Sequence, residues 1–390
     1  MKKLLFIITL IIALSNIELS AQDFNYNQGG TKGEYLDTLK FESEYGKIFL
    51  NVEIAGKKRK FLFDTGSTTM ISRNLYNQIK PNVIFEKTSF DVLKNRDTLN
   101  VVNLNEIKLG NTTFHNIPSA VLNTTSDWLE CFNIDGIIGS NMLRNSIVQI
   151  LSVKQEIILT DNDKNLSLRK SNSSELKLSE ENNPFIIVKA DKIPLQLLFD
   201  SGSDELFSLS NKLMDKIVEN EKSNPFEIIS IGYGSSTLGL FGAEKETKKS
   251  RINLSILEIN TLKLKGLVVE TNNSIQSTIG AQLINHGIVT IDYKNKRFYI
   301  EPFDANKNLQ EKKWPIDLTV INGHLAVVVV WGELIEQVKP GDKIISIDGT
   351  NYENVGICEL LNPKINEKNK IFLTIEDNNG IRKNIELERK

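Results

Sequence analysis

The sequence predicts a mainly β chain in which one unit occurs twice and is followed by a third, smaller unit. Three observations carry this prediction. Two segments share one hairpin-and-turn grammar ending in Asp-Thr-Gly-Ser and Asp-Ser-Gly-Ser. The runs between turns have strand-like length and apolar content. Beyond a polar stretch at 306–313, a further set of short apolar runs begins. The expected units are 36–163, 181–303 and 313–390. At 390 residues the chain exceeds one average domain of roughly 150 residues. With 40% hydrophobic and 25% charged residues it can bury a core. Its 47 Lys+Arg against 49 Asp+Glu give a formal charge of -2, which leaves no basic surplus for phosphates, so nucleic-acid binding is set aside.

The chain begins Met1, Lys2, Lys3, continues through eleven mostly apolar residues at 4–14, and reaches Leu19-Ser20-Ala21 before Gln22. A charged start, a short apolar stretch and a small-residue end in that order predict a signal peptide at 1–21. Export to the periplasm, cell surface or medium follows. Eleven residues are too few to span about 30 Å of hydrocarbon, and no 18-residue apolar window follows, so no membrane span is expected. Two cysteines, Cys131 and Cys358, cannot make a disulfide framework or a multi-thiolate metal site and are expected as core thiols.

In the first copy, the apolar run 48–54 leads through an Ala55-Gly56-Lys57 turn into 59–63 and then Asp64-Thr65-Gly66-Ser67. In the second, 185–190 leads through Asp191-Lys192 into 194–199 and then Asp200-Ser201-Gly202-Ser203. Each reads as a hairpin delivering a tight turn. Ser72 and Ser210 then stand as N-caps of short helices at 73–79 and 211–218. Further on, Ile138-Gly139 in one copy answers Ile279-Gly280 in the other, 75 residues after Asp64 and 80 after Asp200. Both are followed by two β-like runs, 147–150 with 156–159 and 288–291 with 297–300. The polar stretch 161–183 is expected as the linker.

Asp-Thr/Ser-Gly-Ser at the end of a strand puts a carboxylate on a turn where Gly permits close backbone approach and its N–H can bond the carboxylate. Two such turns related by pseudo-two-fold symmetry would face their carboxylates. Like charges about 3 Å apart cannot both ionise, so the pair would share a proton and supply an acid and a base together. With this spacing and these motifs, residues 46–302 resemble the two half-sites of aspartic proteases. The resemblance implies a bilobal, pepsin-like fold of two retropepsin-like halves that hydrolyses peptide bonds held between them. It implies Asp64 and Asp200 as the catalytic pair. Thr65 and Ser201 would tie the turns together, Gly66 and Gly202 would complete them, and Ser67 and Ser203 would bond the outer carboxylate oxygens. Gly139 and Gly280 would lie beneath. No cofactor is implied, and the partner is a peptide or protein substrate. Duplication supplies both half-sites in one chain, so a monomer is expected.

The family closes a mobile hairpin over substrate. In the first copy the corresponding stretch, 90–98, has neither Gly nor Tyr, whereas the second has Gly232-Tyr233-Gly234. Tyr233 and Gly234 are therefore the candidate flap. In the third unit, Val338-Lys339-Pro340-Gly341-Asp342 followed by an apolar strand and Asp348-Gly349 resembles PDZ domains, small α+β modules that bind peptide ends by strand addition. That resemblance implies Asn322, Gly323, His324 and Leu325 as the carboxylate-binding loop, although the residues depart from the usual Gly-Leu-Gly-Phe. The run 326–331 reads as a buried strand. His115, His286 and His324 stand singly without metal-ligand spacing and are expected as structural, so no metal is assigned. No Gly-x-Ser-x-Gly elbow occurs. The leading functional expectation is an exported aspartic endopeptidase whose PDZ-like unit recruits substrate. The alternative is a catalytically idle binding protein on the same scaffold, which the presence of both Asp residues disfavours.

Overall fold

The computed structural model describes residues 25–123, 130–222, 224–361, 363, 365 and 368–390. The expected leader at 1–21 lies outside the described residues. The two copies share one frame around their Asp-Thr/Ser-Gly turns. Lys47–Ile54 pairs antiparallel with Lys57–Phe63, and Pro184–Ala190 with Ile193–Asp200. Both reversals are two-residue turns with positive φ at each position, Ala55 and Gly56 in one and Asp191 and Lys192 in the other. That geometry matches the twist of the strands it joins. The second strand of each hairpin then runs parallel to a short strand carrying the downstream Gly: Phe63 lies opposite Ile138, and Asp200 opposite Gly280. Met70–Ile71 and Phe207–Ser210 complete each motif, antiparallel to that short strand.

The expected helices form. Arg73–Ile79 is capped by Ser72, whose hydroxyl accepts the Leu75 N–H. Asn211–Glu221, three residues longer than expected, is capped by Ser210 at Leu213. The copies are joined through one sheet, in which Ile147–Leu151 pairs antiparallel with Gly287–Asp292. A single apolar core runs through both copies, from Phe63 and Ile150 to Phe199 and Ile291. The stretch 161–183 is not a free linker. Ser173–Glu175 pairs with Arg297–Tyr299, Leu176 is buried, and Asn172 donates to Glu301 Oε2 at 2.8 Å. Buried Leu176 and partly buried Leu178 seat the otherwise polar segment where the neighbouring strand leaves an edge to pair with.

Residues from Trp314 to Leu387 form a separate apolar cluster. Its first hairpin, Ile316–Ile321 with His324–Trp331, corrects the expected ligand-binding loop. Asn322 and Gly323 have φ of 50° and 78° and form a two-residue turn that pairs Ile321 with His324, while Leu325 is fully buried. Asn-Gly between apolar runs is a strong hairpin signal, and it overrides the loop reading.

This third unit is built into the others. His324–Trp331 pairs with Glu227–Gly234 of the second copy, Trp331 opposite Gly232 and Val329 opposite Gly234. Tyr233 and Gly234 are thus strand residues at a junction rather than a free flap. The glycines serve close approach: a Cβ on Gly232 would stand 2.5 Å from the Trp331 ring, and one on Gly234 1.9 Å from the Val328 carbonyl oxygen. Buried Arg251 adds a polar tie. It donates to Glu270 at 2.9 Å and to the Trp314 carbonyl at 2.7 Å, and its guanidinium lies 4.0 Å from the Trp331 ring centroid. The third unit also reaches the first copy, because Cys131 and Cys358 form a disulfide with Cα atoms 5.2 Å apart. The expectation of core thiols fails because partners 227 residues apart come together only through the tertiary fold.

Reduction, or Cys358→Ser, should therefore lower the unfolding midpoint. The loop it closes is long enough for up to about 5 kcal/mol on a chain-entropy estimate. Thermal unfolding with and without reductant tests this, and equal midpoints would show that the crosslink adds no stability beyond the strand junction and the Arg251 tie.

Candidate active site

Asp64 and Asp200 end equivalent strands and meet across the pseudo-symmetry axis. Each turn holds its own carboxylate the same way: Gly66 N–H donates to Asp64 Oδ1 and Gly202 N–H to Asp200 Oδ1, both at 2.9 Å. Between the turns lies a reciprocal set of four hydrogen bonds. Thr65 Oγ1 donates to the Phe199 carbonyl at 2.7 Å and accepts the Ser201 N–H at 3.0 Å. Ser201 Oγ donates to the Phe63 carbonyl at 2.9 Å and accepts the Thr65 N–H at 3.0 Å. Both side chains are fully buried. A hydroxyl suits each position because one short side-chain atom both donates and accepts.

The four glycines are fixed by contact. A Cβ on Gly66 would lie 2.6 Å from the Asp200 carboxyl carbon, and one on Gly202 2.5 Å from that of Asp64. Each carboxyl group therefore rests on the opposite turn. Gly139 and Gly280 lie beneath the turns, where a Cβ would come within 2.2 Å of the Thr68 carbonyl carbon and the Glu205 carbonyl oxygen respectively. The amides of Ser140 and Ala281 brace the turns from below by donating to the Ser67 and Ser203 carbonyls.

Two serines act otherwise than expected. Ser67 Oγ donates to the Thr68 carbonyl at 3.0 Å instead of to a carboxylate. The Ser203 backbone amide donates to the Asp200 carbonyl at 3.2 Å and acts downward on the Asp200 carboxyl. A serine at this offset has backbone acceptors within reach of its short side chain, and these win. Sequence reasoning also missed Tyr293, a fully buried residue of the second copy whose hydroxyl lies 2.9 Å from Ser140 Oγ under the first turn. Burial pushes its phenol well up. Only the strand after Gly280 pointed toward it, and nothing marked its side chain.

Burial raises both carboxyls above the ordinary range. For Asp64 the charge of Asp200 and the hydrogen bond between the two raise it further, so Asp64 is held well above the usual value. For Asp200 that same hydrogen bond acts downward, as do the Gly202 and Ser203 amides. The two carboxyls, hydrogen-bonded to one another, titrate as a pair that shares one proton. Among the described residues, no group of three or more His, Cys, Asp or Glu is placed to hold a metal ion.

The wall beside the pair is apolar. Leu62 shares a strand face with Asp64 and packs with Phe49, Met70, Leu99, Leu122, Phe132 and Ile137. Leu240 and Phe241, from the second copy, lie against this cluster. They form the tip of a small hairpin, Leu238–Gly239 with Gly242–Ala243. The tip is held by Asp91 of the first copy, whose Oδ2 accepts the Phe241 N–H at 3.0 Å while Oδ1 accepts Leu93 N–H and Asn95 N–H. Val92 accepts the Ile275 N–H at 2.8 Å alongside. The stretch 90–98, which lacks Gly and Tyr, is therefore the one that meets the opposite copy.

The carboxyl pair makes stability depend on pH with a definite sign. A carboxyl whose folded-state pKa lies above its unfolded value stabilises the fold below that unfolded value, and the contribution is lost as pH rises through the folded pKa. Both Asp64 and Asp200 are raised. Asp64→Asn should therefore unfold at about the same temperature as the native chain near pH 4 and at a higher one near pH 8. Identical melting curves at both pH values would show that the pair carries no such strain.

Residues 50–142, which hold Asp64, Gly66 and Gly139, match the family model described as aspartyl protease. No curated protein matches the chain. Among solved structures, the soybean basic 7S globulin is similar with a TM-score of 0.37 and 10% identity, over 69% of this chain and 96% of that one. Conglutin gamma, a basic 7S globulin from lupine seeds, gives 0.38 and 11% over the same shares. A retropepsin-like aspartic protease from Rickettsia conorii gives 0.25 and 18%, over 34% of this chain and 94% of that one. The family match supports an aspartyl protease reading of the first copy, and it ends before the turn that carries Asp200.

Proposed function

We propose that the chain is an exported, single-chain aspartic endopeptidase with a bilobal, pepsin-like arrangement of its two copies. The observation that carries this reading is the reciprocal seat of the two carboxyls, each on its own Gly amide and against the opposite turn. In the mechanism, ionised Asp200 takes a proton from a water held between the pair. Protonated Asp64 donates to the oxygen of the scissile carbonyl as the water oxygen attacks its carbon. The pair then exchanges roles: Asp200, now protonated, gives its proton to the departing amine while Asp64 recovers one from the tetrahedral intermediate. Substrate is a peptide or protein, and a monomer suffices because both half-sites lie on one chain. Export is supported by the leader-like start and by the Cys131–Cys358 disulfide, which suits an oxidising compartment.

The third unit is proposed as a PDZ-like module. Its Ile316–Ile321 strand pairs on one side with His324–Trp331, and strand addition along its other side is the form of peptide capture proposed. The second functional reading, a binding protein with an idle pair, draws support from the contact of Leu240 and Phe241 with the wall beside Asp64.

Asp64→Asn and Asp200→Asn should each lower peptide cleavage by about a thousandfold or more without loss of fold. Incubation of the native and substituted chains with a diverse peptide mixture from acid to neutral pH, followed by mass spectrometry, decides this. No cleavage by the native chain at any pH would favour the binding reading. Truncation before Lys313 should remove Trp314 and Trp331 from Arg251, leaving Glu270 as its partner, and uncover Gly232. It is therefore expected to lower the unfolding temperature and impair short-peptide and protein cleavage together. Full short-peptide activity at unchanged stability would make the third unit a separable recruiting module.

A further inference from the structure

Lys47 opens the first hairpin of copy one, yet its side chain crosses to the second turn. Nζ donates to the Gly202 carbonyl at 2.8 Å and lies 3.9 Å from Asp204 Oδ1, with the side chain 14% exposed. The peptide unit whose oxygen it binds carries, at its other end, the Ser203 N–H, which closes the turn on the Asp200 carbonyl at 3.2 Å and acts downward on the Asp200 carboxyl. A cation on the oxygen polarises that amide and makes its N–H a stronger donor within the Asp200 turn.

The copies differ at this position. Lys47 lies 17 residues before Asp64 (64 − 47), and the residue 17 before Asp200 (200 − 17) is Asn183. The hairpin registers agree, since Phe49 faces Leu62 as Phe185 faces Leu198. Asn183 is neutral, and its buried Oδ1 has no hydrogen-bond partner. One turn thus receives a positive charge from across the axis, while the matching position on the other side holds an amide.

We infer that Lys47 is a positioning residue of the carboxyl pair: it anchors the Asp200 turn from across the axis, and its charge favours the ionised form of the pair. The ionisable groups that its charge meets include Asp64, Asp200 and Asp204 on the two turns; Glu205, next in the chain, is acted on by Asp204, Glu270 and Lys313. Its charge acts downward on both Asp64 and Asp200. Removing it should move ionisation of the pair to higher pH.

The kinetic consequence rests on the proteolytic reading, but the charge itself can be read without catalysis. Chains labelled with 13C in the Asp carboxyl carbon would be titrated by NMR as native protein, Lys47→Met, Lys47→Gln and Lys47→Arg, with Asp64→Asn assigning the pair. Both neutral variants should shift the pair's titration upward by about one pH unit, and Lys47→Arg by much less. Lys47→Gln retains a donor for the Gly202 carbonyl, so it separates charge from anchoring and serves if Lys47→Met does not fold. Both limbs of the kcat/KM profile should move upward with the titration. A titration unmoved in both neutral variants overturns the proposal even if activity falls. A shifted titration in a chain that cleaves nothing upholds Lys47 while refuting the proteolytic reading.

Discussion

The four hydrogen bonds exchanged by Thr65 and Ser201 are the constraint on which the site depends. Each hydroxyl answers a buried N–H and a buried carbonyl of the opposite turn. Loss of one hydroxyl would strand two backbone groups at a cost of about 1–3 kcal/mol each. The bonds also set the distance between the turns, and Gly66 and Gly202 then allow each carboxyl to rest on the other's backbone. Burial of two carboxyls is unfavourable in itself. It is tolerated because the backbone between them is rigid enough to impose it and because sharing a proton avoids two adjacent charges.

The symmetry of this frame is not carried into its surroundings. Ser140 supports the first turn with its hydroxyl bound to the Thr65 carbonyl and close to Tyr293, whereas Ala281 in the second copy contributes only its amide. Lys47 supports the second turn, while Asn183 stands at the matching place. The first turn is thus braced by neutral hydroxyls, and the second is reached by a cation. A symmetric pair would share its proton evenly. Unequal support leaves the two carboxyls in different surroundings, so the pair is not required to share its proton evenly.

The duplicated frame was legible in the sequence because it is written in local signals: strand-length apolar runs, two-residue turns, Ser N-caps and Gly at points of backbone contact. Those signals located Asp64, Asp200, Thr65, Ser201 and all four glycines at the places where the structure puts them. The features that were not legible are those set by partners distant in sequence. Gly232 and Gly234 look like a mobile loop until Trp331 is seen filling the space above Gly232. Cys131 and Cys358 look like lone thiols until the fold brings them together. Asn322-Gly323 carried its own hairpin signal, and the reading erred by letting a motif outweigh it. Ser67 shows the reverse limit, since a side chain with several acceptors in reach cannot be assigned from its position in a motif.

The contact between the two copies above the cleft bears on how a substrate could enter. Asp91 and Val92 each accept one backbone N–H from the second copy, and Leu240 and Phe241 remain partly exposed where they touch the wall beside Asp64. The Phe241 N–H bond belongs to the hairpin tip and the Ile275 N–H bond to a separate loop, so movement of the tip alone breaks only the first. The hairpin that must move, Leu238–Gly239 with Gly242–Ala243, is anchored at its base by the buried Lys249–Glu244 pair at 2.7 Å and by the sheet shared with the third unit. Opening is therefore confined to the tip. The third unit, by fixing the strand from which that hairpin springs, limits how far the cleft can open even though it contributes no side chain to the carboxyl pair.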